Sequence, residues 1–357
     1  MDKPNYIKNY TLDKLEILIQ DFGFEKYRAS QVFSGLYVDR IDNFKDIKTL
    51  PPKLRELMID TFRINSIEIS KIRKSEDGSI KYLFKLFDGK QIETVYMPWY
   101  DETDGEIERV TLCISSMAGC PVECAFCATG TLGFQRNLTS GEIIDQILFV
   151  EKDLGIKVTN IVFMGMGEPL LNYNNVVNTI DILTLPKNNL LRRKKITLST
   201  VGITAKIKHL ALSKNPVKLA ISLHATTNGF REKIIPMAKG IQLNALMESI
   251  EYYYRKTRIP VTYEYIPFEN YNDTEEDAKR LAKILKRVPS RVNIIPFNDI
   301  SFTGAVGFSN KLKPTPKDKI LEFGLKVRHY GGAVTIRDTF GTDIEAACGQ
   351  LALSEGA

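Results

Sequence analysis

From about Val110 onward the chain alternates strand-like and helix-like segments, and this alternation restricts it to few architectures. Short runs rich in β-branched and apolar residues fall at Val110–Ser115, Asn160–Met164, Lys195–Ser199, Val217–Ser222, Val261–Tyr265, Val292–Pro296 and Ala333–Ile336. Helical patterns lie between most of them. One begins at Thr139, with Glu142 placed to complete a capping box. Others cover Asn175–Leu183, Ala205–Leu212, Leu243–Tyr254, Glu275–Lys286 and Lys317–His329. Repeated strand–helix units predict a parallel sheet with helices outside, curled into a full or partial barrel.

The first 90 or so residues read differently. Thr11 stands where a helix cap is needed, ahead of Leu12, Leu15 and Ile19. A second helix is predicted over Arg28–Tyr37. A third runs from Lys53 to about Phe62, with Pro51 and Pro52 at its first turn, where proline is tolerated. Strands Ser66–Ile72, Ile80–Phe87 and Gln91–Met97 follow, separated by the turns Asp77-Gly78 and Asp88-Gly89. The expected division is a helical accessory module with a β-ribbon over residues 1–90, then a barrel over 91–357.

Polar and glycine-bearing groups gather just after the predicted strands. Gly165-Met-Gly167-Glu168-Pro169, Ser199-Thr200, Ser222-Leu223-His224 and Asn298 each follow or close one. The C-terminal ends of parallel strands are where such folds bind ligands. The loop after the first barrel strand reads Cys120-Pro-Val-Glu-Cys124-Ala-Phe-Cys127, three of the five cysteines in the chain. Three closely spaced thiolates can hold an iron–sulfur cube by three corners and leave one iron open for chemistry. A structural zinc site is the competing reading, although it prefers four ligands and paired C-x-x-C spacings. Taken alone, Cys113 on a strand and Cys348 in a run of small residues are ordinary.

A hydrophobic content of 43%, a charged content of 26% and a net charge of +6 suit a soluble protein and permit a nucleic-acid partner. The polar start MDKPNYIKNY and the lack of a long apolar run lead to the expectation of a cytoplasmic protein with no membrane partner. There, a cysteine cluster points to metal or redox chemistry rather than to a disulfide framework. Basic runs occur at Arg192–Lys195, at Lys279, Arg280, Lys283, Lys286, Arg287 and Arg291, and at Lys311, Lys313, Lys317 and Lys319. Each is either a solvated face or a phosphate contact. Trp99 and Tyr100 are candidates to stack a base.

The cysteine loop, with Phe126 before its last cysteine, resembles the signature of the radical S-adenosylmethionine (SAM) superfamily. Further motifs are Thr111-Leu-Cys113-Ile-Ser-Ser, Met164-Gly-Met-Gly-Glu-Pro-Leu-Leu-Asn172, Thr197-Leu-Ser-Thr200, Ser222-Leu-His224 and Asp343-Ile-Glu-Ala-Ala-Cys348-Gly-Gln-Leu351. Together they resemble the RlmN/Cfr family of RNA methyltransferases, with the adenine-C2 branch, RlmN, as the nearer match. The resemblance implies an α/β fold: a partial (β/α)6 radical SAM barrel with a small N-terminal helical accessory domain and a β-ribbon linker. It implies a [4Fe–4S] cluster on Cys120, Cys124 and Cys127, and SAM held by Gly167, Glu168, Ser199, Ser222, Leu223, His224 and Asn298. It implies that Cys348 takes a methyl group, that Glu93 accepts the proton from carbon 2, and that Cys113 releases the product through a transient disulfide. The implied substrates are adenosines of 23S rRNA and tRNA. The implied helpers are a flavodoxin-like electron donor and a thiol reductant, acting on a monomer. A Cfr-like C8 methyltransferase and a non-enzymatic, metal-bearing RNA-binding protein stand as alternatives.

Overall fold

Short strands buried in nearly continuous runs, between helices that bury one face, set out a sheet with helices packed on its outer face. The structure is a computed structural model and describes residues 4–101, 103–186 and 190–353. Three helices come first: α1 (Leu12–Asp21), α2 (Arg28–Tyr37) and α3 (Pro52–Thr61). Thr11 occupies the cap position of α1, but its side chain makes no capping bond, contrary to expectation. The ribbon is β1 (Ile67–Lys74), β2 (Ile80–Leu86) and β3 (Gln91–Tyr100).

The barrel begins with β4 (Ile107–Cys113), followed by a small hairpin of β5 (Met117–Gly119) and β6 (Phe134–Asn137) with α4 (Ala128–Thr131) between them. Strand–helix units follow: α5 (Ser140–Leu154), β7 (Asn160–Phe163), α6 (Tyr173–Leu183), β8 (Ile196–Thr200) and α7 (Thr204–Leu210). Next come β9 (Lys218–Ser222), α8 (Asn228–Ile234), α9 (Leu243–Thr257), β10 (Val261–Tyr265) and α10 (Glu275–Leu285). The last elements are β11 (Ser290–Ile294), α11 (Lys317–His329) and β12 (Val334–Ile336). The hairpin, α4 and α8 had no clear sequence signal, because each is too short to show a period.

One sheet has the order β1-β2-β3-β4-β7-β8-β9-β10-β11-β12. The ribbon pairs antiparallel with β4, and all pairings from β4 to β12 are parallel. This is the expected partial barrel: six full parallel strands and a short seventh, with no pairing recorded between β12 and β1 among the described residues. The segment after β12 spans that gap. Gly341 N donates to Asp77 Oδ2 at 2.7 Å, Ser75 Oγ to Asp343 Oδ1 at 2.5 Å, and Arg73 pairs with Glu345 at 3.3 Å.

The capping box of α5 forms as predicted: Thr139 Oγ1 accepts from Glu142 N at 3.3 Å, and Glu142 Oε2 accepts from Thr139 N at 2.8 Å. The N-terminal helices share a core with Ile144, Leu148 and Ile182 of α5 and α6. Asp145, fully buried on α5, locks this junction. It pairs with Lys8 and accepts from Ser66 N at 2.7 Å and Ser66 Oγ at 2.5 Å. Removing one partner of such a pair leaves a buried charge without compensation. Asp145→Ala is therefore expected to cost about 3–5 kcal/mol in denaturant unfolding, with separation of the N-terminal helices from α5 seen as faster proteolysis.

Candidate active site

The cysteine loop is held from both ends. At its start Gly119 has φ +71°, and a Cβ there would lie 1.8 Å from Gly133 O, so only glycine fits against β6. Cys120 N donates to Gly133 O at 3.0 Å, and Ala125 N to Ile234 O at 2.9 Å. Cys127 N closes a turn on Cys124 O at 3.1 Å. Val122, Phe126, Val201, Ile234 and Phe268 surround the three cysteines with apolar side chains.

This donor set fits an iron–sulfur cluster better than one metal ion. Three thiols on one short loop supply three ligands, one short of the four that a closed zinc site takes. Burial pushes the Cys120 thiol up to about 12 and raises Cys124 and Cys127 as well, with the neighbouring sulfurs adding to the effect on Cys120 and Cys124. Backbone amides of Val122 and Glu123 at Cys120, and of Thr129 and Gly130 at Cys127, oppose this. Such amide–sulfur bonds are what tune an iron–sulfur centre.

Arg231, which sequence reasoning missed, strengthens the fit. Its guanidinium is wholly buried without a carboxylate partner among the described residues. Nη2 donates to Val201 O at 2.5 Å and Ser222 O at 3.3 Å, Nε to Leu223 O at 3.3 Å, and Nη1 has no partner. Its field reaches Cys124. An unpaired buried cation beside three thiols suits an anionic cluster. The only sequence signal was its place four residues after the Ala225-Thr226-Thr227 turn.

The strand ends supply the rest of the rim. Gly167 has φ +101°, and a Cβ there would lie 2.5 Å from Met117 Cβ, so the chain passes close to β5. Glu168 is buried; Oε1 accepts from Leu170 N at 2.9 Å and Oε2 from Val201 N at 2.8 Å. Burial raises its pKa to about 7. Ser199 Oγ and Ser222 Oγ lie 3.4 Å apart on adjacent strands. His224 takes φ +49° and packs edge-on against Phe126, with ring centroids 4.6 Å apart. Its Nδ1 accepts from Ile266 N at 3.2 Å, and burial lowers its pKa to about 3, so the ring stays neutral with its proton on Nε2. Leu223 turns its side chain into the core, and Asn298 Nδ2 donates to Cys348 O at 3.0 Å. Leu223 thus lies in the site's wall, and Asn298 holds the C-terminal strap.

That strap, residues 346–353, carries Cys348 into the rim. Ala128 N donates to Gly349 O at 2.7 Å, Thr129 Oγ1 to Leu351 O at 2.6 Å and Leu353 N to Glu93 Oε2 at 3.2 Å. Cys348 is accessible to solvent as a residue, and the fields of Glu264 and Cys127 act on its thiol. Burial, then Glu264 and Cys127, push that thiol up to about 12. Cys113, at the end of β4, is raised by burial and by Cys348. The two catalytic candidates, 235 positions apart in sequence, are therefore near enough for the field of one to act on the other. All five cysteines are free thiols. Glu93 is buried, paired with Lys81 at 3.1 Å, and its backbone carbonyl accepts from Ser115 Oγ at 2.6 Å. His209 and His329 lie on the surface away from these groups. Trp99 lies under Arg109 and against Phe340 rather than in a free stacking position, whereas Tyr100 is exposed.

An open parallel barrel with three loop cysteines, a glycine–glutamate turn and serines at successive strand ends defines a radical SAM enzyme. The Radical SAM superfamily model matches residues 114–282. A protein of Thermus thermophilus named "Probable dual-specificity RNA methyltransferase RlmN" is 41% identical over 95% of this chain and 92% of its own length. A Thermotoga maritima protein of the same name is 40% identical over 96% and 95%. The crystal structure of a radical SAM methyltransferase from Sphaerobacter thermophilus superposes with a TM-score of 0.87 at 33% identity, covering 98% of this chain and 99% of that one. The chain belongs to the RlmN family of radical SAM RNA methyltransferases, whose cofactors are a [4Fe–4S] cluster and SAM. No helix among the described residues is long and apolar enough to cross a membrane.

Glu264, buried on β10, is a second carboxylate the sequence did not single out. It accepts from Asn293 Nδ2 at 3.0 Å, and burial raises its pKa to about 7 from 4.5. Between these values the folded protein keeps a proton that the unfolded chain has released, so stability falls as pH rises and levels off above the upper value. The metal-free protein is expected to lose about 1 kcal/mol per pH unit from this group across that window. Glu264→Gln should cancel that share of the slope in denaturant melts taken at successive pH values.

Proposed function

We propose that the protein methylates carbon 2 of an adenosine in the peptidyl-transferase region of 23S rRNA, and of an anticodon-adjacent adenosine in tRNA. The observation that supports this reading is that the strap carrying Cys348 is hydrogen-bonded to Ala128 and Thr129 at the end of the cluster loop, while the fields of Cys348 and Cys113 interact. Carbon 2 of adenine is electron-poor and the SAM methyl is electrophilic, so ordinary displacement cannot join them; the bound cofactors supply the one-electron chemistry.

The chain's own residues do the rest. Cys348 must lose its proton before its sulfur can displace the SAM methyl, which it then holds as a thioether. The strap bonds to Ala128, Thr129 and Asn298 keep that carbon beside the cluster loop. Once the carbon is joined to the base, the adduct must give up one electron, which the bound cofactors would accept, and Glu93 takes the carbon-2 proton, turning from Lys81 or from Leu353 N to do so. Cys113 then attacks the Cys348 sulfur. The sulfur–sulfur bond forms as the carbon–sulfur bond breaks, and the carbon leaves with the electron pair and gains a proton to become the methyl group. An external thiol reductant restores both cysteines, and a flavodoxin-like protein supplies the electron for each turnover.

In this reading residues 1–90 form an accessory module that contacts RNA, residues 91–357 form the catalytic barrel, and the enzyme works as a cytoplasmic monomer. Nucleoside mass spectrometry of rRNA and tRNA from cells with and without the gene is expected to show 2-methyladenosine lost from both. Finding 8-methyladenosine instead would establish the Cfr-like regiochemistry. Cys113→Ala is expected to accumulate as a covalent protein–RNA species on denaturing gels, while free methylated RNA from that variant would remove its resolving role.

A further inference from the structure

Strand register shows which side chains share the inner face of the barrel. Side chains alternate along a strand, and paired residues on neighbouring strands point the same way. Thr197 pairs with Lys218, Ser199 with Ala220, Ala220 with Thr262 and Thr262 with Arg291. Ser222 pairs with Glu264, and Glu264 with Asn293. Lys218 and Arg291 therefore lie on the same face as Ser199, Ser222 and Glu264. By alternation, Arg109 joins them four positions before Cys113, and Lys195 ends the short turn 193–195 that leads into β8 and packs beside β9.

These four cations sit where their strands begin, at the end of the barrel opposite the rim. Lys218 and Arg109 each precede a rim residue of the same face by four positions: Ser222 and Cys113. At about 3.3 Å per residue this places each roughly 13 Å below its rim partner along the strand. In the sheet Arg291 stands two strands from Lys218 and Arg109 three, and the fields of both, with that of Lys195, act on Lys218.

The cluster is short of negative charge. None of the four is in a salt bridge among the described residues, and Glu108, beside Arg109, is the carboxylate whose field reaches it. The Arg109 guanidinium is fixed 4.2 Å from the Trp99 ring centroid, with its Nε buried and unpartnered. Arg337, two positions beyond Thr335 on the inner face, acts on Arg109 as well as on Glu264 and Cys348, and so continues the positive charge from floor to rim. Like charges held together in this way destabilise the free protein and call for an anion. Sequence runs pointed elsewhere: only Lys195 and Arg291 belong to them, and Arg109 and Lys218 stand outside.

We propose that Arg109, Lys195, Lys218 and Arg291 form a phosphate-binding floor that holds backbone phosphodiesters of the substrate RNA roughly 13 Å from the nucleotide presented at the rim. This rests on the RNA-methyltransferase reading and adds to it the surface that positions the strand. Phosphate contacts set register without reading sequence, which suits an enzyme acting on two different RNAs.

The test measures RNA binding by the cluster-loaded enzyme without reductant, using a single-stranded oligonucleotide that contains the target adenosine. Its affinity is followed across salt concentrations in the wild type and in the K195Q/K218Q/R291Q variant. Loss of three phosphate contacts is expected to flatten the slope of log affinity against log salt by about 2 and to weaken binding about tenfold at low salt. Cluster absorbance and SAM binding should stay unchanged. An unaltered slope overturns the proposal while leaving the enzyme reading intact; failure of the wild type to bind RNA overturns both.

Amine acylation of the wild-type protein, read by peptide mass spectrometry, gives a second measurement that needs no variant. RNA is expected to shield Lys195 and Lys218. Undiminished labelling with RNA bound, or equal shielding by inorganic phosphate or adenosine monophosphate, overturns the assignment to an RNA backbone.

Discussion

The hydrogen bonds that tie the C-terminal strap to the cysteine loop are the constraint on which the site depends. Ala128 N to Gly349 O and Thr129 Oγ1 to Leu351 O hold the strap against the residues that follow Cys127. Gly349 adopts φ +85°, and a Cβ there would lie 3.1 Å from Phe126 O, so glycine lets the two segments approach. With these bonds made, Cys348 lies within the fields of both Cys113 and Cys127. Without them the site would open on the side where β12 and the ribbon fail to pair. The strap therefore completes the barrel wall as well as carrying a reactive sulfur.

The electrostatics of the rim explain why such a site needs cofactors and a substrate to become settled. Its thiols are all raised by burial, Glu168 and Glu264 are lifted toward neutrality, and Arg231 is buried without a counter-ion among the described residues. Each of these costs stability in the free protein. A cluster beside Cys124 would offset the charge of Arg231, and a bound methionyl group would use the remaining lone pairs of Glu168. The chain carries this strain because the surrounding core is extensive: helices on the outer face bury Ile161, Leu198, Leu219, Ile221 and their partners completely.

Much of the architecture could be read from local pattern. The parallel strands were visible because buried strands of this kind are short apolar runs with turn residues after them. The capping box at Thr139 was visible because three side-chain positions suffice to specify it. The cap expected at Thr11 did not form, since a residue in the right place still needs its hydroxyl turned to the helix. The β5–β6 hairpin and α8 left no period to detect, yet they hold the cysteine loop, through Gly133 O and Ile234 O.

By itself the sequence determined the chemistry available: three thiols at cluster spacing, two isolated cysteines, and polar groups at successive strand ends. Those features are local, and local spacing survives any fold. Only the tertiary structure decided that Cys113 lies within the field of Cys348, that Arg231 is a buried cation whose field reaches Cys124, and that Arg109, Lys218 and Arg291 share one inner face. Each of these joins residues that are distant along the chain. Their proximity follows from strand register and sheet curvature, which no short window of sequence contains.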